Sequence, residues 1–269
     1  MSTALFPEDV HDRSPQEHVE VTPATWKDGK RYAWLLGLLV PLFPFAAWGL
    51  YALTGSDLAW FIGPLAIFVI FPAFDFMGGM DTTNPPESVV AWLEQDRYYR
   101  RCTYAYIPVQ YAGLIMACWM WAYGDLSTLA SIGLATTVGM VSGIAIATAH
   151  ELGHKREQLE RWLSKIALAQ SFYGHFYVEH NRGHHVHVST PEDPASSRLG
   201  QSLYSFLPRT VFGSVRSAVR IERDRRRRAG DRFFSIHNDI LNAWAMSVVL
   251  FGVLVAVFGV SILPWLLLQ

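Results

Sequence analysis

The chain has 269 residues, 51% of them apolar, with 22 Lys and Arg against 23 Asp and Glu. That length would fit one or two soluble domains. However, lysine and arginine are missing from several stretches of roughly 20 residues, the length that crosses a bilayer. An ordinary soluble protein is therefore excluded, and nucleic acid is not an expected partner.

Residues 1–26 are polar, with Pro7, Pro15 and Pro23 and no cleavable signal, and read as a flexible cytoplasmic lead-in. Residues 27–269 read as one transmembrane domain. Spans at 32–54 and 58–78 make a first hairpin, and spans at 104–123 and 129–149 a second. The last apolar run begins near Asn242 and is too long for one crossing. Gly259 and Pro264 divide it into a fifth span, 242–260, and the start of a sixth near 262. The expected fold is all-α: a polytopic membrane helix bundle of five spans plus the start of a sixth, with helical cytoplasmic segments.

Orientation follows from the basic residues. They fall at Arg13, in 27–31, in 97–101 and in 155–232, while the connections "TGSD" and "YGDLS" contain none. A cytoplasmic N-terminus with alternating spans puts all of them inside, as the positive-inside rule requires.

Asp75 and Asp81 follow the second span. A carboxylate at a span end is costly unless it meets protein or water, so each is a functional candidate as well as a possible interfacial cap. Residues 87–101 read as one amphipathic surface helix with Val89, Val90, Trp92 and Leu93 on its apolar side. The fourth span is rich in small residues (Gly133, Ala135, Gly139, Ser142, Gly143, Ala145, Ala147), which let helices approach closely in lipid. Cys102 and Cys118 read as reduced, packed thiols. The run "SVRSAVRIERDRRRRAGDR" suits anionic lipid headgroups, or less readily an acidic partner.

Ten histidines are present, and six lie between His150 and His185. "HELGH" contributes His150 and His154, and "HNRGHH" contributes His180, His184 and His185. Residues four apart share a helix face, so His150 with His154, and His180 with His184, can each aim two imidazoles at one ion. His185 then adds a third ring to the second set. His175 suits a hydrogen-bonding role around such ligands, His187 is open, and His11, His18 and His237 read as solvated. His-Glu-x-x-His also occurs in zinc proteases, with the glutamate as base. Five imidazoles exceed what one catalytic zinc uses, and the count points to two metals.

"HELGHK" (150–155), "GHFYVEHNRGHH" (174–185) and "TPEDPASSRLG" (190–200) closely resemble the membrane-bound alkane 1-monooxygenase family. "NPPE" (84–87) and "RYYR" (97–100) match it too, so the resemblance covers the chain from about Lys27 onward. It implies a non-haem di-iron enzyme of the bacterial inner membrane, with N-terminus and metal site cytoplasmic. Such an enzyme hydroxylates medium- or long-chain n-alkanes to 1-alkanols, using O2 and electrons from rubredoxin and its reductase. By matching positions, His150, His154, His180, His184 and His185 would bind iron. Glu151, Glu179, Asn181 and Asp193 would hydrogen-bond around them, with His175 and Asp75 as further candidates. The family's later histidine motifs have no counterpart up to Gln269, so the chain reads as lacking the C-terminal third and as inactive alone. Phe61, Leu65, Phe68 and Phe71 are candidates for lining an alkane route, or else ordinary packing and lipid-facing residues. The rival readings are a desaturase or xylene-type monooxygenase with the same metal chemistry, and, more remotely, a non-catalytic metal-handling membrane protein.

Overall fold

A computed structural model describes residues 26–79, 81 and 83–269, so the lead-in other than Trp26 lies outside the described residues. Every element within them is helical. The first hairpin pairs α1 (Arg31–Thr54) with α2 (Asp57–Gly78). Between them Gly55 takes a φ of 66°, a left-handed conformation that glycine adopts without steric cost. α2 widens into a π turn over Ala66–Ile70, just ahead of Pro72. Proline has no amide to donate within a helix, and the slipped hydrogen bonding takes up the break.

Next come α3 (Glu87–Gln95) and α4 (Arg97–Tyr123). The single surface helix expected over 87–101 is in fact divided at Asp96. This residue has an extended backbone, and its Oδ1 accepts the Tyr98 amide at 2.8 Å. It thus caps α4, while its Oδ2 accepts from Arg31 at 2.6 Å and ties α4 to the start of α1. Asp81 is a local anchor: it pairs with Lys30, and its Oδ1 accepts the Thr83 amide at 3.0 Å.

α5 (Thr128–Gly153) begins at Ser127, whose hydroxyl accepts the Ala130 amide at 3.0 Å. Its small residues do admit close neighbours. A Cβ on Gly133 would lie 2.7 Å from the Phe61 ring and 2.9 Å from Trp60 Cβ. Thr137 Oγ1 donates to the Trp60 carbonyl at 2.7 Å and accepts the Gly63 amide at 3.0 Å. Gly143 and Ala147 depart from the expectation and face outward, Gly143 with nothing within 4 Å.

The sequence reads the stretch between the fourth and fifth spans as a long cytoplasmic segment. In the structure its first helix, α6 (Gln158–Ala169), folds back along α5. Ser164 donates to the Ala149 carbonyl at 2.7 Å, and Ser142 reaches Gln170 at 3.4 Å. Ser142 lies about 12 Å along α5 from His150, at 1.5 Å per residue. The far end of α6 is therefore well inside the bundle. Its last carbonyls would be orphaned there; Tyr111 donates to Ile166 O at 2.8 Å and Gln110 to Ala167 O at 3.4 Å.

α7 (residues 176–187), α8 (Leu203–Arg228) and α9 (Asp239–Phe258) follow. Asn238 caps α9, its Oδ1 accepting the Ile240 and Leu241 amides at 3.0 and 3.1 Å. Gly259 turns the chain at φ 91°, as expected, and α10 (Leu263–Leu268) returns toward α5.

By length and hydropathy, α1, α2, α5 and α9 can each cross a membrane. The span expected at 104–123 lies within the 27 residues of α4. This helix runs among the others but carries Gln110, 1% exposed, and several tyrosines that lower its hydropathy. The class is an all-helical membrane bundle. Cys102 and Cys118 are buried free thiols.

Candidate metal centre

The end of α5 and the whole of α7 bring the histidines together. His150 lies in the last turn of α5, and the His154 amide closes that turn on the His150 carbonyl at 3.2 Å. α7 is again irregular, with residues His180–His184 forming a π turn. Hydrogen bonds five residues apart rotate the helix so that residues i and i+5 share a face, and such turns recur at functional sites.

That slip decides which rings meet. The Nε2 atoms of His154 and His150 are 3.1 Å apart, and those of His154 and His180 3.2 Å. His185 Nε2 is 3.3 Å from His154 Nε2 and 3.0 Å from His180 Nε2. Among the described residues these four imidazoles form one group, with ligand atoms within 4.8 Å of one another. The i,i+4 pairing of His180 with His184 read from the sequence is replaced by an i,i+5 pairing with His185.

The spacing itself suits a cation. Four nitrogens about 2.1 Å from one ion stand roughly 3.0–3.4 Å apart between octahedral and tetrahedral geometries. Burial, together with the neighbouring imidazoles, lowers the His154 pKa and lowers that of His180 to about 3. At neutral pH both rings are therefore uncharged and offer a lone pair.

His184 stands beside this group, its ring stacked on His180 at 5.4 Å between centroids. Its Nδ1 lies 2.9 Å from Asp193 Oδ2. Asp193 is buried, accepts the Ala195 amide at 2.9 Å, and has a lowered pKa despite desolvation because Ser196, Ala195 and His184 donate to it. A carboxylate on Nδ1–H leaves Nε2 as the basic nitrogen, the usual arrangement of a metal-binding histidine.

The other sequence candidates are placed differently. Glu151 is half-exposed and reaches His150 Nδ1 at 3.5 Å. Asn181 donates to the Tyr177 carbonyl at 2.8 Å, within its own helix. Glu179 is buried, its Oε1 without a partner among the described residues, and burial, aided by Asp193, raises its pKa to about 7. His175 is buried against the Tyr173 ring at 4.4 Å, neither nitrogen with a partner among the described residues, and burial lowers its pKa to about 4. Asp75 is exposed near the end of α2 and is not part of the four-imidazole group. Phe61 packs on Gly133, while Leu65, Phe68 and Phe71 stand on the outer surface of α2, 50%, 68% and 42% exposed.

Residues that the sequence did not single out hold α7 in place. Gly183 admits no side chain, since a Cβ would lie 2.8 Å from Glu179 Oε1 and 2.9 Å from Ile221 Cδ1. Arg182 binds Glu222 at 3.2 Å and Asp239 at 2.8 Å, and Lys165 binds Asp239 at 2.7 Å. Lys165 and Glu222 are buried, and a buried charge without a partner is costly. That cost was a signal in the sequence: charged residues flanking apolar runs near the histidine motifs.

A histidine-rich centre at the end of an apolar helical bundle defines a class of membrane proteins. Residues 127–269 match the fatty acid desaturase family, and the chain belongs to it. Within that family it is similar to alkane 1-monooxygenases. It is 41% identical over 242 residues to alkane 1-monooxygenase 1 of Alcanivorax borkumensis, covering 90% of this chain and 60% of that protein. It is 42% identical over 242 residues to alkane 1-monooxygenase of Ectopseudomonas oleovorans, with the same coverage. A xylene/toluene monooxygenase hydroxylase component of Pseudomonas putida is 31% identical over 123 residues, 45% of this chain and 33% of that protein. The chain thus spans about 60% of the length of the first two relatives.

Proposed function

We propose that the protein is an iron-dependent membrane monooxygenase that converts medium- or long-chain n-alkanes to 1-alkanols with O2. The carrying observation is the convergence of His150, His154, His180 and His185 on one point at the end of the bundle. Those four would hold one iron, and His184, oriented by Asp193, would serve a second. Bound iron supplies the oxygen chemistry that side chains lack, since an alkane methyl group has neither an acidic proton nor a leaving group.

The chain's own residues supply position, protonation state and access. Asp193 keeps the His184 proton on Nδ1, and burial keeps His154 and His180 neutral. The apolar outer face of α2, with Leu65, Phe68 and Phe71, meets the lipid in which an alkane dissolves and offers it a path along the bundle. The distribution of basic residues supports a centre on the cytoplasmic side, here that of a bacterial inner membrane. Arg216, Arg220, Arg223 and Arg227 form an exposed stripe on α8 that suits anionic lipid headgroups. Rubredoxin, with its reductase, is the proposed electron donor.

The test is made on the natural gene product in its membrane. Two irons per protein and O2-dependent formation of a 1-alkanol from an n-alkane are expected. An alkene product would favour the desaturase reading, and oxidation of aryl methyl groups alone would favour a xylene-type enzyme. One tightly held zinc would overturn the redox reading altogether.

A further inference from the structure

An ordinary helical turn would have set His180 beside His184; the π turn sets it beside His185. Arg182 lies in the middle of that turn and is held from outside it. One guanidinium nitrogen donates to Glu222 of α8 at 3.2 Å and another to Asp239 of α9 at 2.8 Å. The acceptors are themselves fixed. Glu222, 0% exposed, accepts the Asp239 amide at 2.9 Å and the Arg225 Nε at 2.6 Å. Asp239 also receives Lys165 of α6 at 2.7 Å and Arg225 at 3.0 Å. Three helices thus meet at the guanidinium of a residue that separates two histidines of the motif, and α6 joins them through Lys165 on Asp239.

We propose that Arg182, gripped by Glu222 and Asp239, is a positioning residue that fixes the register of the π turn and so brings His185, rather than His184, to the four-nitrogen group. The proposal rests on the metal-centre reading above. The guanidinium is a planar fork whose donors have fixed directions, so it can satisfy two carboxylates on two different helices only in one orientation. Relaxing the turn by one residue would rotate the following residues and break at least one of these bonds. Elsewhere in α7, Asn181 bonds to its own helix, while the packing of Gly183 on Ile221 and the bond of His184 to Asp193 confine the turn without the two fixed donor directions that the Arg182 fork supplies.

The test uses the natural gene product in lipid nanodiscs, stripped of metal and titrated with Co(II), whose visible absorption reports the ligand field. Arg182→Lys keeps the charge and loses the fork. It is expected to weaken Co(II) binding by about 10–100-fold, the usual effect of disturbing residues that support metal ligands, and to shift the Co(II) bands. The loss caused by His185→Ala should shrink in the Arg182→Lys background, while the loss caused by His184→Ala should not. Glu222→Gln should reproduce these effects from the other side of the contact. If the unchanged protein takes up no Co(II), the metal reading falls and the inference with it. If it takes up Co(II) and Arg182→Lys binds with the same affinity and spectrum, the inference alone falls. If neither variant folds, the contact supports the bundle at large rather than the turn, and the inference is likewise overturned.

Discussion

Two glycines of α5 provide a sharp check on the packing. Gly133 and Gly143 look alike in sequence, both being small residues of one apolar helix. In Gly133→Ala the new methyl would sit 2.7 Å from two Phe61 ring atoms and 2.9 Å from Trp60 Cβ. Carbon atoms attract best at about 3.5–4.0 Å, so roughly an ångström of overlap must be relieved. The Phe61 ring can tilt, but Trp60 is fully buried and its Cβ follows a backbone held by Thr137. Overpacking of this kind costs about 1–3 kcal/mol, and alanine returns about 0.5–1 kcal/mol in a helix. A net loss of about 1–2 kcal/mol corresponds to roughly 2–8 °C in Tm for a domain of this size. Gly143→Ala meets nothing within 4 Å and should gain the helix term alone, raising Tm by about 1–4 °C. Thermal unfolding of both variants in detergent, followed by intrinsic fluorescence, measures the difference. Shifts of the same sign would refute the packing of α5 against α2.

Three further outcomes are expected. His185→Ala removes one of four converging nitrogens and should weaken Co(II) binding at that group by about 60–700-fold, as losing a quarter of a roughly 10–16 kcal/mol site implies. His184→Ala should leave that group largely intact, and equal losses in a Co(II) titration would contradict the i,i+5 pairing. Asp193→Asn keeps the shape but loses the charged acceptor on His184; the affinity of the metal served by His184 should fall about 10-fold or more, while the Co(II) spectrum of the four-nitrogen group persists. Asp96 has a lowered pKa, chiefly through its bond to Arg31. Its contribution should therefore be complete above the ordinary aspartate range near pH 4 and fade as pH falls below it. Chemical denaturation across pH should show Asp96→Asn less stable than the unchanged protein at neutral pH and converging with it in acid; a constant gap would show that the carboxylate charge is not responsible.

Much of the architecture was legible because the bilayer imposes a length and a composition on whatever crosses it. The runs that became α1, α2, α5 and α9 announced themselves by length and lack of charge, and Gly259 announced its turn. Residues 158–169 did not, because their polar face is satisfied by contacts made only after folding: Ser164 on Ala149, Lys165 on Asp239, and the α4 side chains on the last carbonyls. The boundary at Asp96 was missed for a similar reason, since one carboxylate serves both as a cap and as an ion pair with a distant arginine.

At the site, the sequence determined by itself that several imidazoles gather at the end of an apolar bundle, because histidine motifs of this spacing beside charge-free spans have few other uses. Only the tertiary structure decided which imidazoles meet. Helical periodicity pairs His180 with His184, yet the π turn pairs it with His185, and the choice between them costs one slipped hydrogen bond. So small a difference is settled from outside the helix, by Glu222, Asp239, Asp193 and the side chain of Ile221 against Gly183. These residues lie up to 57 positions from Arg182 in the chain, and no local pattern ties them to it.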